Sequence, residues 1–273
     1  MMQISAASAP GSERANEDGV FVGLNSVVVL DGLSAPKDLP MGCEHGTPWF
    51  VREMGVRLLA AAEAGQPLSP SLADTIRDVA GLHSGTCSLE GGAVPATTVT
   101  VLRERDDQLD YLVLSDSVLL LDGSAGLEVL TDKRVDDVAG SLAADALAVP
   151  GGSSEQAARI SALVTAQRQV RNRPGGYWVA STDPTAAEQA ITGSVPRSAV
   201  RRAALLTDGA TRLVDTFGEL SWTELLDLLQ EQGPATLIER TRQLEESDPV
   251  GARWPRFKRS DDATAACRTF ITQ

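Results

Sequence analysis

The chain has 273 residues, of which 42% are hydrophobic, and carries 37 acidic against 24 basic side chains, a formal net charge of −13. This composition can bury a full core, and the negative charge argues against nucleic acid or an anionic membrane as main partner. Three cysteines without a CxxC pair predict no disulfide framework and favour a reducing cytoplasm. We find no signal peptide and no apolar run near the ~20 residues of a membrane span, so we expect a soluble cytoplasmic protein of unspecified oligomeric state.

Three short apolar segments near the N-terminus predict strands, which we place at Gln3 to Ala9, Gly19 to Gly23 and Ser26 to Asp31. Their short links predict a meander. The third strand ends on Asp31 and is followed at once by Gly32. A carboxylate at the end of a buried strand is costly unless something pairs with it.

Two helices follow a loop from Ser34 to Gly46, which suggests helices on one side of an antiparallel sheet. Helical spacing predicts the first over Trp49 to Glu63, and the second begins with a Ser69-Pro70 cap and runs to about His83. A loop from Gly91 to Pro95 then leads to a second predicted meander. Its strands are Thr97 to Leu102, Tyr111 to Leu114, Val118 to Asp122 and Leu127 to Leu130.

The second half of the chain alternates predicted helices and strands. Within this half, an apolar run ends in Asp208-Gly209 and so repeats the pattern of the strand that ends at Asp31-Gly32. The predicted elements are helices over Asp136 to Leu147 and Ser154 to Arg168, a strand over Tyr177 to Ala180, a short helix capped by Asp183, a strand over Ala203 to Thr207, a helix with the Ser221 to Glu224 capping box, a helix from Pro234 to about Glu246, and a closing strand from Asp261 to Ile271.

Three aspartates, Asp31, Asp208 and Asp261, are far apart in sequence but each lies at the end of a predicted strand. Carboxylates brought within a few ångströms repel one another unless a cation lies between them. Oxygen ligands suit Mg²⁺ or Mn²⁺ rather than Zn²⁺. A pair of such ions about 3.5–4 Å apart can set up a water for attack on phosphate. The pattern therefore favours metal-assisted phosphate chemistry.

Other phosphate-hydrolysing machinery does not fit. No cysteine has an arginine six residues on, there is no P-loop, and Leu33 stands where an aspartyl-phosphate hydrolase has its second aspartate. A zinc site would need a better ligand set than His45, His83 and three scattered cysteines. We therefore interpret Cys43 and His45 as packing or loop residues.

The order of the motifs resembles the metal-dependent serine/threonine protein phosphatases of type 2C (the PPM family), in their bacterial form. Each motif alone is weak, but together they span nearly the whole chain in the family's order. They are Arg14-Ala15-Asn16-Glu17-Asp18, Val29-Leu30-Asp31-Gly32, Ala96-Thr97-Thr98, Ser115-Asp116-Ser117, Leu206-Thr207-Asp208-Gly209 and Asp261-Asp262-Ala263-Thr264.

The resemblance implies an α+β fold, a four-layer α/β/β/α sandwich of two antiparallel sheets flanked by helices, as a single domain over residues 1–273. It implies hydrolysis of phosphoserine or phosphothreonine in a phosphorylated protein substrate, by a metal-bridging water or hydroxide and without a phosphoenzyme. Such an enzyme would serve signalling. The implied cofactors are two Mn²⁺ or Mg²⁺ ions, with a possible third that binds less tightly.

The resemblance also implies a role for each matched residue. The metal ligands would be Asp31, whose carboxylate bridges the two ions, Gly32, which lends its carbonyl, and Asp208 and Asp261, which complete one ion. Glu17 and Asp18 would hold the waters of the other ion, and Asp116 would serve the third. Arg14 would bind the substrate phosphate, so that Asp31, Arg14 and Asp208 form the catalytic set.

The chain departs from the family at several places. Arg14 stands four residues before Asp18 rather than five, Leu33-Ser34-Ala35 replaces the His/Met-Gly-Gly that follows the first Asp-Gly, and Ser115 replaces a glycine. Two alternatives therefore stay open: a catalytically weak phosphatase-like module that regulates a partner, and a phosphatase of a small phosphorylated metabolite. The basic run Arg253 to Arg259 either attracts an anionic phosphopeptide or serves local charge balance and packing.

Overall fold

The computed structural model describes residues 3–36, 38–89 and 93–270. Gly91 and Gly92 of the predicted loop, and Ile271 of the predicted closing strand, lie outside these residues. The described strands are β1 (Gln3–Ala9), β2 (Gly19–Val22), β3 (Ser26–Leu30), β4 (Val99–Arg105), β5 (Gln108–Leu114), β6 (Val118–Gly123), β7 (Gly126–Leu130), β8 (Ile191–Pro196), β9 (Val200–Leu206) and β10 (Ala263–Thr269).

The described helices are α1 (Gly46–Glu63), α2 (Leu68–His83), α3 (Arg134–Asp137), α4 (Gly140–Leu147), α5 (Ser154–Val170), α6 (Asp208–Asp215) and α7 (Trp222–Ser247). A 3-10 turn over Pro184–Gln189 is capped by Asp183, whose carboxylate accepts a hydrogen bond from the amide of Thr185. The predicted capping box at Ser221 and Glu224 is also confirmed. Helix α7 is kinked at Gly233, directly before Pro234, where a second helix was predicted. Among the described residues, none of these helices is both long and apolar enough to cross a bilayer.

The strands form two antiparallel sheets of five, in the orders β1-β10-β9-β6-β7 and β2-β3-β4-β5-β8. Apolar side chains from both sheets meet in a common core that includes Val27, Val29, Leu119 and Leu205. Alternate residues such as Val28 point outward onto α1 and α2. The other sheet packs its outer face on α6 and α7. The predicted four-layer α+β sandwich is confirmed, and β3 is apolar throughout because both of its faces are covered.

Each predicted meander is wrong at one connection, because β1 does not pair with β2 and β5 does not pair with β6, whereas β2 and β3, β4 and β5, and β6 and β7 pair as predicted. β1 pairs with β10 in one sheet, while β2 and β3 pair in the other. The hairpins β4-β5 and β6-β7 likewise belong to different sheets, and the chain crosses between them at Ser115 to Ser117. Alternating apolar residues define a strand and its buried face, but they carry no information about which strand lies beside it. Helices also cover both outer faces rather than one.

Several local predictions are corrected as well. The segment Tyr177 to Ala180 forms only isolated bridges rather than a strand, and the predicted helix over Asp136 to Leu147 is broken at Ala139, whose φ is 60°. Helix α2 begins at Leu68 without a side-chain cap, because Pro67 stands at the N-cap position, and Ser69 lies inside the first turn, where its hydroxyl donates to the Ala187 carbonyl at 2.9 Å. Strand β8 and helix α6 were not predicted.

Candidate active site

The strand register brings the acidic segments to one end of the sandwich. Gly19 pairs with Leu30, Val99 with Leu114, and Val118 with Leu206, so the residues just beyond these pairs lie together. They border a cavity of about 400 Å³ at the seam between the sheets. Its acidic lining consists of Asp31, Asp116, Asp136, Asp208 and Asp261.

Asp31 is held at this point by the start of the neighbouring strand. Its amide donates to the Thr98 hydroxyl at 3.2 Å, and its carbonyl accepts from the Thr98 amide at 2.9 Å and the Thr97 hydroxyl at 2.8 Å. Its carboxylate accepts the amide of Asp208, the first residue of α6, at 3.3 Å. The Thr-Thr motif therefore fixes the backbone of Asp31 and leaves its carboxylate directed at the second Asp-Gly segment.

Both glycines that follow these aspartates are required by close backbone approach. A Cβ on Gly32 would clash with the Glu17 carbonyl, which accepts the Gly32 amide at 3.1 Å. A Cβ on Gly209 would clash with the Asp262 carbonyl. Asp-Gly recurs because a side chain on the second residue would push apart the segments that carry the carboxylates.

Asp18 and Glu17 enter the cluster from the loop between β1 and β2. The Thr207 hydroxyl donates to the Asp18 carboxylate at 2.8 Å, and the Ser34 hydroxyl donates to that of Glu17. The Asp262 carboxylate accepts the Glu17 amide at 2.6 Å, and so fastens this loop to the start of β10. Ser34 and Asp262 are supporting residues whose roles the sequence motifs did not reveal.

The acidic cluster is electrostatically unfavourable without added positive charge. Burial, and then repulsion from Asp208 and Asp18, raises the pKa of Asp31 well above its usual value. Burial, and then repulsion from Asp261, likewise raises the pKa of Asp208. Burial is also the main cause of the raised pKa of about 8 for Asp18 and about 7 for Asp116. Several oxygen donors whose charges oppose one another fit a hard divalent cation such as Mg²⁺ or Mn²⁺.

Two basic side chains reach the cluster through Asp261. The Lys258 ammonium donates to this carboxylate at 2.7 Å, and the Arg212 guanidinium lies 3.4 Å from it. Burial opposes the charge of Lys258, but Asp261 and Asp208 outweigh it and raise the lysine pKa above its usual value. Arg212 is itself fixed by buried Glu245 at 2.6 Å. Sequence reasoning did not single out Lys258 as a contact of the metal-ligand candidates.

Arg14 lies outside the acidic cavity, on its approach. Its side chain is exposed and lines a wider cavity of about 1030 Å³ together with Glu17, Asp208, Lys258 and Asp261. No side-chain partner is recorded for its guanidinium within the described part of the chain. The Arg14 guanidinium is therefore available to bind an anionic ligand beside the carboxylates.

The departures at Leu33 and Ser115 have local structural explanations. Leu33 packs near Tyr177 and Val179, and its amide donates to the Ala96 carbonyl at 2.9 Å. Ser115 has a φ of 72°, the left-handed conformation that favours glycine, and its hydroxyl donates to the Asp116 carboxylate at 3.2 Å. The turn geometry that glycine would allow is thus kept by a serine.

The basic run before Asp261 divides between two roles. Arg256 is buried and pairs with Asp248 at 3.1 Å, and the buried Trp254 donates its indole N–H to the Phe217 carbonyl at 3.1 Å. These residues support the packing interpretation. Phe257 and Lys258 instead line the cavities beside the acidic cluster.

The interpretation of the cysteines and histidines as scattered is wrong. Cys43, His45, His83 and Cys87 lie together on the same side of the molecule as α1 and α2, with their ligand atoms within 4.8 Å of one another. Their separation along the chain concealed this from the sequence.

The fold is that of several solved bacterial phosphatases. The serine/threonine phosphatase PstP/Ppp of Mycobacterium tuberculosis is 18% identical, with a TM-score of 0.57 over 99% of each chain. A structure described as the PstP catalytic domain in complex with two manganese ions gives the same identity and score. Stp1 of Staphylococcus aureus is 14% identical, with a TM-score of 0.58 over 100% of this chain and 96% of that one. The resemblance inferred from the motifs is thus confirmed at the level of the fold.

Sequence comparison alone does not detect this similarity. No protein-family model matches the chain, and no curated protein matches it in sequence.

Proposed function

We propose that this chain is a Mn²⁺- or Mg²⁺-dependent phosphatase that hydrolyses phosphoserine and phosphothreonine in proteins. The observation that carries the proposal is the convergence of Asp31, Asp208 and Asp261 on one cavity. The fold similarity supports it, because one similar structure is the catalytic domain of a serine/threonine protein phosphatase with two manganese ions.

The residues present fit a two-ion site. Asp31, the Gly32 carbonyl, Asp208 and Asp261 would hold the ions directly, with Glu17 and Asp18 on their outer side and Asp116 at a third, weaker position. When bound, two divalent cations supply a nucleophile at neutral pH and stabilise charge on the phosphate oxygens. The carboxylate charges, which oppose one another in the chain alone, are what would hold those cations.

Side chains around the cluster would orient the substrate. The Arg14 guanidinium is exposed in the wider cavity and would bind two phosphate oxygens as a fork. The Lys258 ammonium borders both cavities and would attract the same dianion. Leu33 has no ionisable group, so no proton for the leaving alkoxide comes from the side chain at that position.

The proposal extends to the protein as a whole. One core is shared by both sheets, which supports a single domain over residues 1–273. The three free cysteines favour a reducing compartment, so we place the enzyme in the cytoplasm, where dephosphorylation would serve signalling.

The test is phosphate release from phosphoserine and phosphothreonine peptides, p-nitrophenyl phosphate and sugar phosphates, with Mn²⁺ and with chelator. We expect turnover that requires the metal and that is faster on the peptides. Asp208→Asn should abolish it, whereas the matched control Asp74→Asn, in an exposed i,i+3 pair on α2, should not.

The other outcomes identify the alternatives. Metal binding without turnover on any substrate would indicate a regulatory module. Faster turnover of sugar phosphates would indicate a metabolite phosphatase. Normal turnover by Asp208→Asn would show that the site is assigned to the wrong residues.

A further inference from the structure

A cluster of two cysteines and two histidines lies apart from the acidic site. Cys43 and His45 come from the connection between β3 and α1, His83 is the last residue of α2, and Cys87 follows it in a short turn. The chain contains two histidines and three cysteines in all, so both histidines and two of the cysteines meet at one place. Such convergence of the chain's rarest polar side chains needs a chemical explanation.

The contacts within the cluster have the dimensions of a metal coordination shell. The Cys43 sulfur lies 3.3 Å from His83 Nδ1 and 3.7 Å from His45 Nδ1, and the Cys87 sulfur lies 3.4 Å from His45 Nδ1. Tetrahedral zinc, with Zn–S of about 2.3 Å and Zn–N of about 2.0–2.1 Å, separates neighbouring ligand atoms by about 3.3–3.8 Å. These three sulfur–nitrogen separations fall in this range, and all four ligand atoms lie within 4.8 Å of one another.

His83 provides an independent indication. The residue is 1% exposed, and its Nδ1, which is shielded from water, contacts the Cys43 sulfur at 3.3 Å. A buried imidazole whose recorded polar contact is a cysteine sulfur is poorly compensated for the loss of water. The Trp49 ring packs against both imidazoles, with its centroid 5.1 Å from that of His83 and 4.4 Å from that of His45, and so holds both in place.

We propose that Cys43, His45, His83 and Cys87 bind one zinc ion as a closed structural site. The thiols release their two protons to solvent on binding, and the two thiolates balance the Zn²⁺ charge. Four protein ligands fill the tetrahedral shell, so no position stays open for substrate. Sulfur and nitrogen donors favour zinc, whereas the carboxylates of the acidic site favour harder cations such as Mg²⁺ or Mn²⁺.

The zinc ion would join the connection between β3 and α1 to the turn that follows α2. Gly42, beside Cys43, donates its amide to the Ala93 carbonyl at 2.5 Å and accepts the Ser88 amide at 2.8 Å. The same connection begins near Ser34, whose hydroxyl contacts Glu17 and the Lys258 ammonium. Zinc would therefore fix the far end of a segment whose near end borders the acidic cavity.

Metal analysis of the full chain, expressed with zinc and purified without chelator, tests the proposal. We expect about one zinc per chain, retained by Cys267→Ala and lost at least tenfold in Cys43→Ser and Cys87→Ser. Cys267 is the matched control because it lies in β10, away from the cluster. Asp208→Asn should also retain zinc, which separates this site from the proposed function. The exposed His45→Ala serves as the variant if the cysteine variants do not fold.

Cobalt substitution in the native chain gives a second reading that needs no variant. We expect the intense visible bands of tetrahedral Co²⁺ together with thiolate charge-transfer absorption. If the native chain contains no zinc and shows none of these cobalt bands, the proposal is overturned. A Cys43–Cys87 disulfide in the isolated protein would overturn it as well. Zinc content unchanged in both cysteine variants would overturn it equally.

Discussion

The amide of Asp208 donates to the carboxylate of Asp31 at 3.3 Å, across 177 positions of sequence. Asp31 follows the last residue of β3 in one sheet, and Asp208 follows β9 in the other. The hydrogen bond therefore crosses the seam of the sandwich and joins the Asp31-Gly32 and Asp208-Gly209 segments. The candidate site exists only when both sheets are packed together.

Asp31→Asn should abolish metal binding and yet stabilise the metal-free protein. The substitution removes a buried negative charge from a repulsive cluster, so it should raise the melting temperature in chelator. Mn²⁺, which should raise the melting temperature of the native chain, should then have no effect. Thermal unfolding of both proteins with chelator and with Mn²⁺ provides the comparison. A lower melting temperature of Asp31→Asn in chelator would show that repulsion does not dominate there.

The metal-free protein should lose stability as the pH rises. The pKa of Asp18 is raised to about 8 and that of Asp116 to about 7, while unfolded aspartates titrate near their ordinary value of about 3.9. The folded state then binds protons more tightly at these two carboxyls, so their contribution to the free energy of unfolding is greatest at low pH and falls as the pH passes from about 4 to about 8. Denaturant unfolding across this range in chelator measures the slope. Saturating Mn²⁺ should remove or reverse it, since bound carboxylates must be deprotonated.

Lys258→Gln should strengthen metal binding and weaken substrate binding. The ammonium lies 2.7 Å from Asp261 and so competes with a cation for that carboxylate. Its removal should lower the Mn²⁺ concentration needed for half-maximal activity and raise KM for a phosphopeptide. Arg253→Gln is the matched control, because this exposed arginine of the same basic run lies over Trp254 instead. An unchanged Mn²⁺ requirement would exclude Lys258 from the site.

Arg14→Ala should weaken phosphate binding without affecting the fold. The guanidinium is exposed, and a hydrogen bond to a charged group contributes about 1.5–3 kcal/mol, which corresponds to about a 10- to 100-fold lower kcat/KM. Arg14→Lys should recover part of this loss, because the charge is kept but the fork is not. Steady-state kinetics on one phosphopeptide compares kcat/KM of the native chain, Arg14→Ala and Arg14→Lys. Arg52→Ala is the control at another exposed arginine. Equal kcat/KM values in Arg14→Ala and the native chain would remove Arg14 from substrate binding.

Local patterns in the sequence were sufficient for most of the strands, though not for β8, and for the aspartates at their ends. A run such as Val27 to Leu30 is recognisable because its own residues determine its burial, and Asp-Gly marks its end. The partners of the strands were not predictable in this way. β1 was not placed beside β10, because residues Gln3 and Thr269, at opposite ends of the chain, pair through backbone atoms.

The missed residues were those whose roles depend on three-dimensional neighbours. His45 and His83 lie in separate segments, and neither segment alone has the ligand spacing of a zinc site. Lys258 was not recognised as a site residue, because it stands in a basic run in which Trp254 and Arg256 serve packing. The segment Tyr177 to Ala180 looked like a strand because it is apolar and buried, but its backbone pairs only at isolated bridges.

Calorimetric titration of the purified native chain with Mn²⁺, beside Asp31→Asn, tests the central claim most directly. We predict that the native chain binds about two Mn²⁺ ions in the manner of a two-metal hydrolase, and that Asp31→Asn binds neither with measurable heat. Equal Mn²⁺ binding by the two proteins, or none by the native chain, would contradict the assignment of the acidic cluster as the metal centre.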